Sequence, residues 1–442
     1  QAPYQHNTPH TYTRSLSNKQ SPHTVSTMGG GSESQQRSTR LVTIEPSIEF
    51  GQVKFDEAKN AIAMVTLRAP EYQGTATRAS IDLVTVIDVS GSMSGPKIAL
   101  VKETLEFITT QLSTDDRLSI VTFSDSAKEA LPLTRMDTAG KANASAAIER
   151  MRASGSTNLS GGLELGLSQF KNRTDKMEVS SVLLLTDGEA NRGYTSAPEI
   201  IDKVIKTRTS ADDPTIRTNA VDCSIHCFGF GSDHNAALLR SISEAGYGSY
   251  FFIQRQESIA DAFVDCIGGL ISVAAKDLCV QLRVEEGITI KQALTTRYPC
   301  TFDTPHRQAT VRIRDLQSEE RRDLLFLLDI PVLSEEHAAP MDIGQITVTY
   351  ENLVNPEETG PTVTLSGTFS IARPAVITDS QTVNTEIDKQ RNRIVAAAAM
   401  EQASRRGDSG SLDEARESIQ QAINHIIKSP TRADTFCVNL QR

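Results

Sequence analysis

The chain has 442 residues, a length that favours about three structural units over one compact core. Hydrophobic residues make up 38% and charged residues 23%, which excludes a collagen, a coiled coil along the whole chain and a wholly disordered protein. The net charge of −10 argues against nucleic acid as a partner, because phosphate-backbone binding normally needs a basic face. No run approaches the roughly 20 apolar residues of a membrane helix, so we expect no membrane span.

The six cysteines lack the paired spacing of a zinc module. Cys223 and Cys227 share one apolar run, and a strand would hold them about 13 Å apart, too far for a disulfide. We therefore predict buried free thiols there, which favours a reducing, cytoplasmic compartment. Pairing among the other four cysteines stays open. The first residue is Gln1, so a secreted protein whose signal peptide was removed remains the alternative.

The amino-terminal part of the chain has two segments of different composition. Residues 1–38 are rich in Ser, Thr, Gln, His and Pro and are predicted to be a disordered tail. Residues 39–78 contain short apolar runs bounded by Pro, Gly and charge, which predict two or three strands. Because strand-like runs also occur late in the chain, we predict that these early strands contribute to a β-sandwich into which the intervening domain is inserted. A separate strand pair packed elsewhere is the alternative.

The segment 79–273 alternates β-branched runs with amphipathic helical segments, the pattern of a parallel sheet covered on both faces. The predicted strands are 81–87, 117–123, 180–186, 223–230 and 248–253. The predicted helices are 97–112, 139–151, 161–170, 197–206, 235–244 and 258–271. The predicted fold class of this segment is therefore α/β, with a doubly wound, mostly parallel, Rossmann-like sheet.

The carboxy-terminal third of the chain has three predicted parts. Strand-like runs divided by turn residues recur over residues 274–375 and predict an antiparallel β-sandwich. Residues 376–430 carry apolar residues at helical spacing on both sides of the turn-forming sequence GDSG, which predicts a helical hairpin. Residues 431–442 are predicted to be a tail.

The sequence DVSGSM at 88–93 follows the first buried strand, at the edge of an open α/β sheet where ligands bind. Alternate residues leaving a strand project the same way, so Asp88, Ser90 and Ser92 can converge on one point. Three oxygens on one face suit a hard cation. Two more polar loops, 154–158 and 186–189, are expected close by. A helix N-cap cluster with a tight turn, without any metal, is the alternative.

Together, the DxSGS sequence, a later threonine in a Gly/Ser loop and a TDG sequence after a buried strand resemble the von Willebrand factor type A family and its metal-ion-dependent adhesion site. The resemblance implies that Ser90, Ser92 and Thr157 give hydroxyl ligands to Mg²⁺, or to Mn²⁺ or Ca²⁺. It also implies that Asp88 and Asp187 act at least partly through water. Two carboxylates leave the dication under-neutralised, so an Asp or Glu of a partner protein is expected to complete its ligand shell.

The order of domains is also similar to inter-alpha-trypsin inhibitor heavy chains and to plant ubiquitin ligases that pair a RING with a type A domain. The sequence has no spaced Cys/His octet of a RING. The expected function is a cation-dependent protein-interaction, adhesion or scaffold module; the alternative is a substrate-recruiting adaptor for ubiquitin transfer. Neither has catalytic activity of its own. HExxH, P-loop and GxSxG motifs are absent from the sequence, which disfavours a hydrolase, and the oligomeric state is not predicted.

Overall fold

The computed structural model describes residues 41–71, 78–171, 173–208, 221–231, 234–254, 257–295, 298, 300–303, 305–354, 356–377 and 383–441. The predicted disordered tail lies outside these residues.

The described strands are β1 (Thr43–Ile48), β2 (Lys59–Arg68), β3 (Ile81–Asp88), β4 (Arg117–Phe123), β5 (Ala127–Arg135), β6 (Val179–Thr186), β7 (Ser224–Phe230), β8 (Tyr247–Ile253), β9 (Val273–Val284), β10 (Thr289–Ala293), β11 (Cys300–Phe302), β12 (Gln308–Gln317), β13 (Arg321–Ile330), β14 (His337–Asn352) and β15 (Thr362–Arg373). The described helices are α1 (Pro96–Gln111), α2 (Thr138–Arg150), α3 (Leu159–Ser168), α4 (Ala197–Arg208), α5 (Ala236–Ala245), α6 (Glu257–Ile271), α7 (Pro356–Thr359), α8 (Thr385–Asp408), α9 (Leu412–Ile427) and α10 (Thr435–Leu440).

Within the described part of the α/β segment, six strands form one sheet in the order β5-β4-β3-β6-β7-β8. All neighbours in this sheet are parallel except β5, which pairs antiparallel with β4. Every residue of β3 and β6 is buried, because helices cover both faces of the sheet. The edge strand β5 was not predicted, because Leu131 is its one buried side chain and it has no continuous apolar run.

Two antiparallel sheets make up the sandwich, in the orders β1-β2-β13-β10 and β11-β12-β9-β14-β15. Strand β2 pairs with β13 along its whole length, so chain from before and after the α/β segment shares one sheet. The buried core between the sheets includes Val65, Phe326, Val280, Ile346 and Phe369. An α/β sheet joined to antiparallel sheets and carboxy-terminal helices confirms the predicted fold class. The segment boundaries themselves stay a prediction.

The first carboxy-terminal helix, α8, packs on the outer face of the first sandwich sheet. Ile387 of α8 packs with Ile62, Met64 and Leu325 of that sheet. The tail predicted for residues 431–442 is wrong, since α10 lies within it and Cys437 is fully buried. A six-residue helix is too short to give a recognisable apolar period, so the sequence pattern did not reveal it.

None of the six cysteines, all of them among the described residues, forms a disulfide, and Cys223 and Cys227 are buried as predicted. Burial raises the pKa of the Cys227 thiol, so that it stays protonated. No helix in the described part of the chain combines the length and the apolar character needed to cross a membrane.

Candidate metal site

The first loop of the site begins where β3 ends. Asp88 is fully buried, and its Oδ1 atom accepts a hydrogen bond of 2.8 Å from the backbone N–H of Ser90. This contact turns the chain sharply, and the next three residues, Gly91–Met93, form one 3₁₀ turn. The turn brings the Oγ atoms of Ser90 and Ser92 to 3.1 Å from each other. The three predicted side chains of this loop therefore lie together.

The second loop, which precedes α3, is joined to the first by its backbone. The N–H of Gly91 donates to the carbonyl of Gly155 at 2.9 Å, and the N–H of Ser154 donates to the carbonyl of Val89 at 2.7 Å. Gly155 has a φ of +87°, a conformation that favours glycine. A Cβ atom at Gly155 would also lie 2.7 Å from a carboxylate oxygen of Asp125, so a larger residue there would require that exposed carboxylate to move.

Thr157 lies in this second loop, is 2% exposed, and is fixed by the segment that follows β6. Its N–H donates to Oδ1 of Asn191 at 2.8 Å, and its carbonyl accepts from the backbone N–H groups of Asn191 and Arg192, each at 3.2 Å. The sequence analysis missed this use of Asn191, because a polar residue in a polar loop carries no distinguishing pattern. Asn158, the residue after Thr157, caps α3 by accepting from the N–H of Gly161.

The third loop follows β6 and reaches the first loop through a threonine. The hydroxyl of Thr186 donates to Oδ2 of Asp88 at 2.5 Å and accepts from the N–H of Gly188 at 2.9 Å. Asp187, between them, is 1% exposed, and its carbonyl accepts from the N–H of Asn235 at 3.1 Å. The sequence analysis identified the TDG motif but gave no role for Thr186. In the structure, the Thr186 hydroxyl holds the buried carboxylate of Asp88 in place.

In the described part of the chain, the buried carboxylates of Asp88 and Asp187 do not have the complete set of hydrogen bonds and ion pairs that a purely structural pair would have. Burial raises the pKa of Asp88; hydrogen bonds from Ser90 and Thr186 oppose this rise, and the negative charge of Asp187 adds to it. Oδ2 of Asp187 lies 3.3 Å from Nζ of Lys97, whereas its Oδ1 is buried without a hydrogen-bond partner. A buried carboxylate oxygen left unpaired is unfavourable by roughly 1–3 kcal/mol, so this group lacks a partner that it needs.

The donor set fits a hard cation better than a transition metal. It offers two carboxylates and several hydroxyls, all of them oxygen donors. Among the described residues, no group of three or more His, Cys, Asp and Glu side chains is placed to hold a metal ion. A metal ion at this edge of the sheet would therefore depend on hydroxyl groups.

The rim of the site carries a solvent-exposed ion pair. Oδ1 of Asp125 accepts from Nη1 of Arg192 at 3.0 Å and from the N–H of Ser156 at 3.1 Å. Hydrogen bonds from Ser156, together with Arg192, hold the pKa of Asp125 below its usual range. Asp125 is therefore a solvent-exposed loop residue.

His226, on strand β7, has partners away from the site. Its ring nitrogens lie 3.2 Å from the Ser224 hydroxyl and 3.2 Å from the N–H of Ser249. It is a hydrogen-bonded residue of the sheet.

Comparison with known proteins identifies a family for the α/β segment that agrees with its sequence motifs and its fold. Residues 82–264 match the family model of the von Willebrand factor type A domain. The chain is 32% identical over 258 residues to the E3 ubiquitin-protein ligase WAV3 of Arabidopsis thaliana, covering 58% of this chain and 31% of that protein. It is 29% identical over 283 residues to the uncharacterized protein sll0103 of Synechocystis, covering 62% of each.

A mouse protein, inter alpha-trypsin inhibitor heavy chain 4, is 32% identical over 184 residues, covering 40% of this chain and 18% of its own. The chain thus spans less than two thirds of the length of each of these three relatives. Among solved structures, a von Willebrand factor type A protein from Catenulispora acidiphila has a TM-score of 0.68 at 18% identity, covering 91% of this chain and 90% of its own. The ArnB paralog VWA2 from Sulfolobus acidocaldarius has a TM-score of 0.57 at 14% identity, covering 91% and 93%. At these identities the likeness shows the fold alone.

Proposed function

Because residues 82–264 form a von Willebrand factor type A domain, we propose that this chain is a protein-interaction module whose binding depends on a divalent cation. The observation that carries the proposal is the unpartnered, buried Oδ1 atom of Asp187 beside a second buried carboxylate, Asp88. Most buried polar side-chain atoms are hydrogen-bonded, so an unpartnered carboxylate oxygen at this position favours a ligand that supplies the partner. The proposal is that a cation supplies the missing partner.

The proposed ligands are the side chains of Asp88, Ser90, Ser92, Thr157 and Asp187. A bound Mg²⁺, or Mn²⁺ or Ca²⁺ in its place, supplies a positive centre that attracts an anion. The chain itself orients the ligand side chains. The hydroxyl of Thr186 and the backbone N–H of Ser90 donate hydrogen bonds that fix the position of the Asp88 carboxylate.

The proposed partner presents an Asp or Glu side chain. Hydroxyl ligands add no charge, so two carboxylates can at most neutralise the charge of a dication. They neutralise it less completely where a water molecule lies between the carboxylate and the metal. An acidic side chain from another protein is the ligand that such a centre favours. Binding of this kind involves no covalent change, so we propose that the chain has no catalytic activity of its own.

A second candidate is a substrate-recruiting adaptor for ubiquitin transfer. It is favoured by relatives from Arabidopsis thaliana with E3 ubiquitin-protein ligase names; one of them, WAVH1, is 25% identical over 359 residues, 76% of this chain and 44% of that protein. The two candidates share the same binding site. They differ in whether a RING protein or a ubiquitin-conjugating enzyme copurifies with the chain.

The test combines metal binding with partner recovery. Mg²⁺ binding to the EDTA-stripped protein is measured by isothermal titration calorimetry, and partners are recovered from native extract with Mg²⁺ or with EDTA. We expect both signals in the wild type and neither in the double variant Ser90→Ala/Ser92→Ala or in Asp187→Ala. The matched control is Ser94→Ala, an exposed serine of the same loop. A partner that is retained in EDTA and by the double variant contradicts the proposal.

A further inference from the structure

Lys97 reaches the candidate site from the helix that follows the first loop. Pro96 is the first residue of α1, where its missing N–H is not needed, and Lys97 comes next. Side chains in a helix point back toward the helix N-terminus, which directs Lys97 toward the ends of the sheet strands. Its Nζ atom lies 3.3 Å from Oδ2 of Asp187, a residue 90 positions later in the chain.

The ion pair joins a buried acid to a partly accessible base. The side chain of Asp187 is 2% exposed and that of Lys97 is 22% exposed. An uncompensated buried carboxylate is strongly unfavourable, and Asp88 provides a second negative group close by. The ammonium group of Lys97 thus supplies positive charge at the place where the proposed cation would supply it.

We propose that Lys97 is a built-in counter-cation of Asp187, which a divalent ion displaces when it binds. The inference rests on the proposed function, because it requires that the ion binds at these residues. An ammonium group and a dication a few ångströms apart repel each other, so Lys97 and the ion compete for Asp187. The flexible four-carbon stem of a lysine, already partly accessible, allows the ammonium group to move into water. Lys97 therefore weakens metal binding and stabilises the third loop in the metal-free protein.

The first test is Lys97→Met, which keeps most of the apolar stem and removes the charge. We expect the variant to bind Mg²⁺ about fivefold more tightly than the wild type, the size of effect that a partly exposed ion pair carries. We also expect its metal-free form to melt at a lower temperature. The matched control is Lys102→Met on the same helix, whose Nζ atom donates to the carbonyl of Glu149 rather than to the site. The control should bind Mg²⁺ as the wild type does.

The outcomes separate this inference from the proposed function. If the wild type binds Mg²⁺ and Lys97→Met binds it equally or more weakly, Lys97 is not a competitor and the inference is wrong, although the site stands. If neither protein binds Mg²⁺, while the metal-free melting temperature still falls in Lys97→Met, the proposed function fails and the ion pair is purely structural.

A second measurement uses the wild type, so it does not depend on the folding of a variant. Lysine side chains are acylated briefly in Mg²⁺ and in EDTA, and labelling of Lys97 is compared with that of Lys102 by mass spectrometry. Displacement from Asp187 exposes the Lys97 amine, so we expect Mg²⁺ to increase its labelling relative to Lys102. An unchanged or reduced ratio at saturating Mg²⁺ would overturn the inference.

Discussion

The two ends of strand β3 each bury an aspartate, and the two carboxylates have different kinds of partner. Asp82, at the amino end, accepts from Nε and Nη2 of Arg117 at 2.6 and 2.8 Å and is also paired with Arg173. Asp88, at the carboxyl end, accepts from the Ser90 N–H and the Thr186 hydroxyl. Within the described residues, Asp88 forms no ion pair.

The neighbouring strands repeat this contrast. At the amino end, the buried Asp116 is paired with the guanidinium of Arg78. At the carboxyl end, the buried Asp187 has only one of its oxygens paired, with the more flexible ammonium of Lys97. Guanidinium groups bind carboxylates in a fixed two-pronged geometry, which completes them within the chain. The comparison therefore separates acids that are paired with guanidinium groups within the chain from the two acids that we propose as metal ligands.

The largest expected effect is at Asp82. Asp82→Ala leaves Arg117 and Arg173 without their buried partner, and breaking a buried ion pair in this way costs about 3–5 kcal/mol of unfolding free energy. Equilibrium denaturation in urea measures the loss. Asp82→Asn, which keeps the shape, should still lose much of this energy while binding Mg²⁺ with the affinity of the wild type. A change in Mg²⁺ affinity in Asp82→Asn would show that the two ends of β3 are not independent.

An intermediate effect is expected at Asp116, where it depends on pH. Burial raises the pKa of Asp116, but the hydrogen bonds from Arg78 and from the N–H of Ser113 outweigh it and hold the pKa below the ordinary 3.8. A carboxyl group whose pKa is lowered by folding stabilises the fold above its unfolded pKa, and that stability is lost as the pH falls through the lower, folded value. We expect the wild type to lose unfolding free energy below about pH 4.

The matched comparison for this pH dependence is Asp116→Asn. The variant should be less stable at neutral pH by about 1.5–3 kcal/mol, the range for a hydrogen bond to a charged group. Its stability should also fall less steeply below pH 4, since the titrating group is gone. Urea unfolding at a series of pH values gives both quantities. If the wild type and Asp116→Asn lose the same unfolding free energy below about pH 4, Asp116 is not the source of the acid sensitivity and the prediction is wrong.

Much of the α/β segment was predictable because its physical signals are local. Strands buried on both faces, such as β3 and β6, read as continuous apolar runs. The convergence of Ser90 and Ser92 followed from the alternation of side chains along an extended chain and from glycine at the turn. These features depend on residues that are adjacent in sequence.

The partners of Thr157 and Asp187 and the edge strand β5 could not be predicted, because they depend on contacts between residues that are distant in sequence. Asn191 contacts Thr157 across 34 positions, and Lys97 contacts Asp187 across 90. Neither Asn191 nor Lys97 differs in type or spacing from an ordinary surface residue. The edge strand β5 escaped prediction for a related reason, since its pairing with β4 is decided by position in the sheet rather than by an apolar run.

The smallest effect is expected from an Arg–Asp pair of ordinary geometry on the rim of the site. Arg192 and Asp125 lie 3.0 Å apart, yet their side chains are 57% and 53% exposed, whereas Asp82 beside Arg117 is fully buried. Water and salt screen an exposed pair, so Arg192→Ala should leave the urea midpoint within the error of the measurement. Arg117→Ala, measured alongside, should lower it clearly, because it removes one of the two guanidinium partners of the buried Asp82. Equal losses in the two variants would mean that burial does not distinguish the two pairs, and that the contrast between the ends of β3 has another cause.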